Sequence, residues 1–333
     1  MDRITLSHGS GGRMMHELID SLFIKVLGNV ILREKKDAAL VRVGSQRLAF
    51  TTDSYVVDPI FFPGGDIGSL AVYGTVNDLA VCGARPLYLS VGIVMEEGLE
   101  IAALERITRS IARAARKAGV AIVTGDTKVV EKGSCDKVFI NSSGIGEVYY
   151  DRLSRERIRI GDSVIVSGPI GDHAISVLSK REGLDFGTTV RSDSGPLNRL
   201  IARVLAASRK VSFMRDPTRG GVATTLNEIV TGRRFGIALD EESVPVREGT
   251  RQACELLGLD PLYLACEGRV LVVVSREDEG KVLRAMRRTA EGRGAKVIGK
   301  ITKEHKGRVY LKTVVGGKRI VDMLAGEQLP RIC

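Results

Sequence analysis

Hydrophobic residues in the first half of the chain follow two alternating patterns, one typical of helices and one typical of strands. A period near 3.6 predicts a helix over Met14–Val26, where apolar side chains recur on one face. Shorter apolar runs bounded by turn-forming residues predict strands. Asp66 stands where it would cap a helix that closes at Gly83. The other elements predicted in this half are strands Ala38–Val43 and Arg47–Thr52, helix Ile67–Cys82, strand Leu87–Met95, helix Ile101–Ala118, and strands Val120–Thr124 and Lys137–Val148.

The second half repeats this mixture after an arginine-rich, apolar-poor segment, Asp151–Gly161. We therefore predict a domain over residues 1–150, a second over 151–325, and a flexible, proline-broken tail over 326–333. The mixture predicts an α+β fold with helices packed on mixed sheets. The predicted helices are His173–Lys180, Leu197–Ala207, Gly221–Thr231, Thr250–Leu257 and Asp278–Ala290, and the predicted strands are Ser163–Ser167, Ile237–Leu239, Arg269–Ser275, Lys296–Lys303 and Val309–Val314.

Length and composition fit this organisation. A chain of 333 residues exceeds the size at which a single core usually stops growing. With 44% hydrophobic and 27% charged residues, the balance is that of a soluble globular protein. No apolar run approaches the roughly 18 residues that a membrane helix needs, and the first residues do not resemble a signal peptide. We expect a cytoplasmic protein with no membrane partner.

The net charge of +10 is unevenly distributed. Residues 1–150 hold 17 basic and 17 acidic side chains. Residues 151–333 hold 33 basic and 23 acidic side chains, so the whole positive excess lies there. A basic half is compatible with nucleic-acid binding or with a solvated surface that favours acidic partners. The aromatic content of 5% and the absence of a nucleic-acid motif favour the second interpretation. We expect no nucleic-acid partner.

The five cysteines, at positions 82, 135, 254, 266 and 333, lack the paired spacing of a zinc or redox motif. Four of them lie in apolar segments, as small core residues do. The fifth, Cys333, is the final residue, and core packing does not explain it. It is either an incidental terminal residue or a reactive thiol.

Isolated aspartates lie within or at the ends of the predicted apolar strands and helices. Each alone is explained equally well as a cap or turn residue. Together they favour a Mg²⁺ site that also binds phosphate, because hard oxygen ligands satisfy carboxylates that are otherwise costly to bury. The five are Asp37, Asp53, Asp78, Asp126 and Asp216.

Glycine-rich turns add a second indication of phosphate. The segment His8–Gly12 precedes the first predicted helix, so that its backbone amides could bind an anion, and Gly220-Gly221 precedes another. No Walker A sequence is present in the chain. A nucleotide must therefore be bound in another way.

Seven segments, taken in order, resemble the ATP-dependent superfamily of aminoimidazole ribonucleotide synthetase, thiamine-phosphate kinase and selenophosphate synthetase. The terminal Pro330-Arg331-Ile332-Cys333 narrows the resemblance to the HypE family of hydrogenase maturation proteins, the thiocarbamate dehydratases. The resemblance covers essentially the whole chain. The seven segments are Ser7–Arg13, Thr51–Ser54, Gly64–Gly68, Thr75–Ala80, Thr124–Lys128, Asp216–Gly221 and Cys266–Gly268.

The resemblance implies a fold and a set of site residues. The first domain would form half of an inter-subunit β-barrel in a homodimer with ATP near the interface, and the second would be an α/β sandwich. The five aspartates match positions that bind Mg²⁺ and phosphates. Relatives usually carry paired acids where this chain has Lys36-Asp37, so either Lys36 contacts phosphate instead or that carboxylate is dispensable. The nucleotide positions matched are Gly11, Gly12, Asp53, Asn77, Asp78, Thr124, Gly125 and Asp126.

The resemblance also implies a reaction. A partner carbamoyltransferase would place a carbamoyl group on the thiol of Cys333. ATP would activate the carbamoyl oxygen, and dehydration would leave a thiocyanate whose cyanide passes to an iron-carrying scaffold for nickel–iron hydrogenase. Lys128 and Glu267 match residues that handle protons near the terminal cysteine. A mobile tail of eight residues would reach about 25–30 Å when extended.

Two other functions remain open on sequence grounds. A superfamily kinase acting on a free small molecule, such as thiamine phosphate or selenide, would keep its activity without the tail. A non-enzymatic maturation scaffold would show no ATP turnover and would tolerate Asp78→Asn.

Overall fold

A computed structural model describes residues 3–184, 190–324, 326, 329 and 331–333. Residues 3–150 form an open five-stranded sheet and a separate two-stranded pair, with helices packed on one side of the larger sheet. The helices of this part are α1 (Arg13–Leu18), α2 (Ile24–Leu27), α3 (Ile67–Val81) and α4 (Ile101–Ala118), and its strands are β1 (Ala39–Val43), β2 (Gln46–Tyr55), β3 (Phe61–Phe62), β4 (Gly65–Asp66), β5 (Ala84–Glu96), β6 (Ala121–Val130) and β7 (Val138–Val148).

The main sheet of this part has the strand order β1-β2-β7-β5-β6. All pairs are antiparallel except β5 and β6, which α4 connects in parallel. Helices α3 and α4 pack on one face, where their apolar residues share a core with β5 and β7. The Asp66 side chain accepts from Ser69 N at 2.9 Å and starts α3 as predicted. Gly119, at φ +77°, ends α4 at the predicted residue.

The remaining residues form a second layered unit. Its helices are α5 (Asp172–Glu182), α6 (Asn198–Ala207), α7 (Gly221–Val230), α8 (Glu248–Leu257) and α9 (Glu279–Arg287), and its strands are β8 (Ser163–Val166), β9 (Val211–Arg215), β10 (Gly236–Asp240), β11 (Leu271–Val274), β12 (Lys296–Thr302), β13 (Val309–Lys312) and β14 (Lys318–Val321).

The strands of this unit form a seven-stranded mixed sheet, β14-β13-β10-β12-β8-β11-β9. Alternate residues of the sheet face two separate cores. Val164 and Val273 pack with α7 on one side, whereas Ile165 and Val272 pack with α6 and α9 on the other. The two units agree with the predicted two-domain α+β organisation. Within the described ranges, no helix combines the length and apolar character needed to cross a lipid bilayer.

Several elements depart from the sequence prediction, among them the short strands β3 and β4, which were not predicted, and the predicted helix Met14–Val26, which is divided into α1 and α2 by a π-helical segment. Strand β6 continues to Val130 rather than ending at Thr124, because pairing with β5 satisfies the backbone of a segment that looks like a turn. Strand β9 was not predicted; its short sequence lies between a helix and a proline turn. The edge strand β14 was also missed, since three of its four residues are exposed and its sequence, Lys318–Val321, begins with two charges.

The face of the first sheet opposite α3 and α4 is exposed and partly apolar. Phe50, Ile145 and Tyr88 lie side by side on β2, β7 and β5, and each is 40–51% exposed. Beyond them, strand β6 forms the sheet edge, with Val123 and Val129 in solvent. The sheet does not close on itself in the described part of the chain.

The predicted tail falls partly outside the described residues, but its last three residues lie against the first domain. Asp58 N donates to Arg331 O at 3.3 Å and Val56 N to Cys333 O at 3.2 Å, as in an antiparallel strand pair. Ile332 is only 5% exposed and joins the core beneath α3 and α5. The terminal thiol is thereby brought inside the molecule.

Candidate active site

Three of the five predicted aspartates converge where the two domains meet. Asp37 lies two residues before β1, Asp78 lies in the last turn of α3, and Asp216 directly follows β9. One carboxylate oxygen from each lies within 4.8 Å of the others. Thr51 donates a hydrogen bond of 3.0 Å to Asp78 Oδ2, which fixes that carboxylate. The predicted proximity of these three residues is thus observed.

Burial and mutual repulsion make this cluster retain protons. Burial, together with the charges of Asp216, Asp37 and Asp53, raises the pKa of Asp78 well above its usual value. Burial and the neighbouring Asp37 raise the pKa of Asp216 to about 7. Three crowded oxygen donors match the ligand preference of a hard divalent cation, whose charge would take the place of those protons. The donor set therefore fits Mg²⁺.

A half-buried ion-pair chain flanks the cluster. Arg215 lies 2.9 Å from Asp37 on one side and 2.6 Å from Glu228 on the other. Glu228 also lies 2.9 Å from Nε2 of His16, on the N-terminal helix. Lys36 lines the same cleft but pairs with Glu34 at 2.6 Å. Arg215, and not Lys36, is therefore the cation next to the carboxylates.

Cys333 lies on the other side of the cluster, beside Glu267. Cys333 and Arg219 line a largely apolar cavity of about 190 Å³, and Glu267 is only 3% exposed. Burial and the hydrogen-bonded Glu267 carboxylate raise the pKa of the Cys333 thiol, whereas the Arg219 guanidinium opposes this shift. Burial, followed by the charges of Asp216 and Asp53, raises the pKa of Glu267 well above its ordinary value. The ionised form of this buried carboxyl group is therefore a stronger base than a solvent-exposed glutamate.

Asp53 connects the two groups of residues. It lies on the half-buried face of β2 that is turned toward α3. Its negative charge helps to raise the pKa values of Asp78, Glu267 and Cys333. The acidic cluster and the terminal thiol therefore belong to one electrostatic environment.

Asp126 and Lys128 lie elsewhere. Both are on β6, side by side at 3.2 Å, with about two thirds of each side chain exposed (69% and 66%). The strand register places Asp126 in one row with Gly92, Asn141 and Ser54, on the exposed face of the sheet.

Asp53 points to the opposite face, because neighbouring residues of a strand alternate sides. Three strand spacings also separate β6 from β2, about 14 Å. Within one chain, Asp126 and Lys128 therefore do not join the other predicted residues, and the same holds for Thr124 and Gly125 on this strand.

Asn77 and the glycine loop have structural partners. Asn77 is 1% exposed, and its side chain bonds to the backbone of Gly195 and Leu197 in the second domain at 3.2 and 2.8 Å. Gly11 has a φ of +80°, and a Cβ there would lie 2.7 Å from Cβ of Arg219. Gly12 packs equally tightly against Leu324 O. The loop therefore lies directly over Arg219 and the cysteine cavity.

A larger cleft of about 1020 Å³ opens from the acidic cluster. Asp37, Arg215 and Glu228 line its inner end, and the N-terminal helix and the segment before β1 line its outer part. Met15, Ile19, Leu40 and Met214 contribute apolar surface, among other residues. It is the size of a small-molecule binding site, whereas the cysteine cavity has room for a few atoms.

Sequence reasoning missed three residues of this region. Arg219 lies inside the quoted segment Asp216–Gly221, and a lone arginine between a proline turn and paired glycines was the available signal. Arg215 and His173 carried no local signal, because their partners are distant in sequence. Only the fold brings Arg215 to Asp37 and His173 to Ile332.

Comparison with known proteins places this arrangement in a family. Residues 35–148 match the AIR synthase related protein N-terminal domain, and residues 159–312 match the AIR synthase related protein C-terminal domain. Carbamoyl dehydratase HypE of Bradyrhizobium diazoefficiens is 51% identical over 99% of this chain and 96% of its own length. The chain belongs to the HypE family.

Two solved HypE structures share the fold. A HypE in complex with ATP is 49% identical, with a TM-score of 0.83 over 99% of this chain and all of its own. A HypE–HypF complex gives a TM-score of 0.87 at 45% identity, covering 92% of this chain and 99% of the other. The two-domain fold of the HypE family is therefore shared along essentially the whole chain.

Proposed function

We propose that the chain catalyses the ATP-dependent dehydration of a carbamoyl group carried on Cys333, producing a thiocyanate that supplies cyanide to the iron of nickel–iron hydrogenase. One observation carries this function. The terminal thiol lies against the buried Glu267, in the same electrostatic environment as three clustered carboxylates. A substrate attached to Cys333 would therefore be held where charge and proton transfer are available without a separate binding step.

The residues suggest how the reaction is divided. The carbamoyl oxygen attacks the γ-phosphorus of ATP, a C–O–P linkage forms and ADP leaves. The C–O bond then breaks and phosphate departs, while both nitrogen protons are lost and S–C≡N remains. Glu267, whose pKa is raised by burial, is the proton acceptor. Arg219, across the cavity from Cys333, offers positive charge to the oxygen as it becomes phosphorylated.

Asp37, Asp78 and Asp216 would hold Mg²⁺, with Asp53 at their border. When bound, Mg²⁺ would neutralise the phosphates of ATP. The cleft of about 1020 Å³ beside Asp37 is the place with room for the nucleoside, since the cavity of about 190 Å³ at Cys333 is too small. The glycine loop, Gly11-Gly12, would lie over the phosphates between these two spaces.

A homodimer would account for the exposed face of the first sheet. A second copy of this chain would cover Phe50, Tyr88 and Ile145 and pair with the β6 edge, completing a barrel. Lys128 and Asp126 would then lie at the interface and serve the partner's site. Lys128 would act there on protons or on the transferring phosphoryl group.

The tail would leave this position to visit other proteins. We propose that residues 326–333 form a mobile arm beyond domains 1–150 and 151–325. The partners would be a carbamoyltransferase, which loads Cys333, and an iron-carrying scaffold, which takes the cyanide. The HypE–HypF complex supports the first of these. The protein would act in the cytoplasm.

Mass spectrometry of the C-terminal peptide tests the proposal. Loading by the carbamoyl donor system should add about 43 Da to Cys333, and ATP should then remove about 18 Da. A small-molecule kinase would leave the loaded peptide unchanged and retain activity without Cys333. An unmodified peptide under active donor conditions would count against the proposed function.

A further inference from the structure

His173 occupies an unusual position at the start of α5. Its side chain is fully buried and lies edge-on to Phe62, with the ring centroids 5.4 Å apart. Nε2 is 2.9 Å from the backbone oxygen of Ile332, and Nδ1 is 2.8 Å from Ser192 Oγ. The imidazole therefore contacts the carbonyl group that directly precedes Cys333. The dehydration chemistry does not use this residue.

The partners of His173 determine where its proton lies. A carbonyl oxygen only accepts, so Nε2 carries the hydrogen and donates it to Ile332 O. Nδ1 then accepts from the hydroxyl group of Ser192, whose oxygen in turn accepts from Ser194 N at 3.0 Å. Burial lowers the pKa of His173, which favours this neutral form. Every polar atom of the ring is satisfied while the tail is docked.

The other contacts of the tail end also involve its backbone. Val56 N donates to a main-chain oxygen of Cys333, Asp58 N donates to the carbonyl group of Arg331, and Arg181 Nη2 donates to Arg331 O at 2.7 Å. None of these backbone bonds uses the thiol of Cys333, which pairs with Glu267 instead, so an adduct on the thiol leaves their donors and acceptors in place. The cavity of about 190 Å³ beside Cys333 is large enough to hold the three heavy atoms of a carbamoyl group.

Undocking of the C-terminal strand would leave a buried hydrogen-bond donor of His173 without its acceptor. When Ile332 leaves, the Nε2 hydrogen loses its acceptor inside an apolar core formed by Phe62 and α5. From this geometry we infer that His173 is a positioning residue that holds the C-terminal strand docked, so that Cys333 and its adduct stay beside Glu267. The part of the inference that concerns the adduct rests on the proposed function. The docking of the tail concerns the unloaded chain and does not depend on that function.

Alkylation of Cys333 by iodoacetamide in the intact, unloaded protein measures docking directly. The other cysteines, Cys82, Cys135, Cys254 and Cys266, are buried, and mass spectrometry of the C-terminal peptide isolates the terminal thiol. His173→Phe keeps the ring contact but removes the donor, and should raise the alkylation rate roughly fivefold, the effect of one net hydrogen bond. His173→Gln, whose amide can reach the same carbonyl, should restore the slow rate.

Lys180→Met, on the exposed side of the same helix, is the matched control and should alkylate at the native rate. Arg181→Met provides a second route if His173→Phe does not fold, because it removes another donor to the tail. Equal alkylation rates in the native protein, His173→Phe and Arg181→Met would overturn the inference. The assay uses neither ATP nor a carbamoyl donor, so its result is independent of whether dehydration occurs.

A single-turnover measurement distinguishes positioning from a general loss of fold. In preloaded protein, His173→Phe should slow dehydration by much less than fivefold, because the docked tail remains the major form, and loading by the donor system should not be slowed. His173→Gln should again behave like the native chain. Slower loading together with slower dehydration in His173→Phe would contradict a role confined to the docked tail.

Discussion

The three clustered aspartates and the pair on β6 belong to motifs of the same kind, yet their environments differ completely. Asp37, Asp78 and Asp216 are gathered from separate elements into a buried site within one chain. Asp126 and Lys128 lie in solvent, on the opposite face and edge of the first sheet, and neutralise each other. The first group is brought together within one chain, whereas the second group would need another surface to take its proposed role at Cys333.

The two groups should affect the stability of the protein differently. Carboxylates that repel one another inside the protein reduce stability until a cation or protons compensate. An exposed ion pair contributes little to stability in either direction. Substitutions in the two groups should therefore affect different quantities, which provides the means to test the comparison.

The largest effect is expected from Asp78→Asn. It keeps the shape of the side chain but removes a ligand charge, so ATP turnover should fall at least about a thousandfold. The metal-free protein should melt a few degrees higher, because folding no longer has to bury or protonate this carboxyl group. Turnover and melting temperature are measured on the same samples.

Asp151→Asn is the control for that substitution, since Asp151 is an exposed aspartate paired with Arg47 and should leave both quantities unchanged. Retention of full turnover in Asp78→Asn would remove the cluster from the reaction.

The next effect concerns the proton acceptor. Glu267→Gln should slow dehydration of preloaded Cys333 by roughly a hundredfold or more, the usual contribution of a general base, while loading is unaffected. Single-turnover mass spectrometry measures both steps. Glu304→Gln, at an exposed glutamate, should match the native protein. Equal slowing of loading and dehydration would mean that Glu267 supports the fold rather than the proton transfer.

Mixed dimers test whether the β6 pair serves the partner's site. Lys128→Met and Cys333→Ser should each be inactive alone. In an equal mixture, half of the dimers are mixed, and one of the two sites in each combines a native Lys128 with a native Cys333 across the interface. Activity should therefore return to about one quarter of the native value.

Lys132→Met, in the turn after β6, mixed with native protein provides the control for subunit exchange. A mixture that stays inactive despite exchange would place Lys128 and Cys333 of the same chain in one site.

The smallest effect is thermal. Since the folded-state pKa of Asp216 is raised from 3.8 to about 7, the folded metal-free protein binds more protons than the unfolded chain between those values, and stability falls as pH rises through that window. Mg²⁺ relieves the repulsion, so it should raise the melting temperature by a few degrees more at pH 8 than at pH 6. An equal increment at both values would contradict the metal site.

Local patterns were sufficient for much of the fold. The amphipathic run Ile101–Ala118 and its terminal Gly119 gave the correct bounds of α4, and Asp66 was correctly predicted as a helix cap. Strand β6 was cut short because Gly125 and Asp126 resemble a turn, and only the pairing with β5 overrides that tendency.

The site was predictable by residue type but not by arrangement. The sequence indicates that aspartates follow or precede apolar elements, and three of them do converge. It does not reveal which face of β6 carries Asp126, since that depends on register with β5 and β7. Contacts such as Arg215 with Asp37 join residues almost 180 positions apart, and only the assembled fold specifies them.

Infrared spectroscopy of isotope-labelled protein tests the central claim most directly, because a nitrile absorbs where no protein group does. Native protein loaded with a ¹⁵N-carbamoyl group should show no nitrile band until ATP is added, and the band should then carry the isotope shift. It should be absent from Cys333→Ser. A nitrile band that lacks the shift, or that forms equally in Cys333→Ser, would show that the terminal thiol is not the carrier.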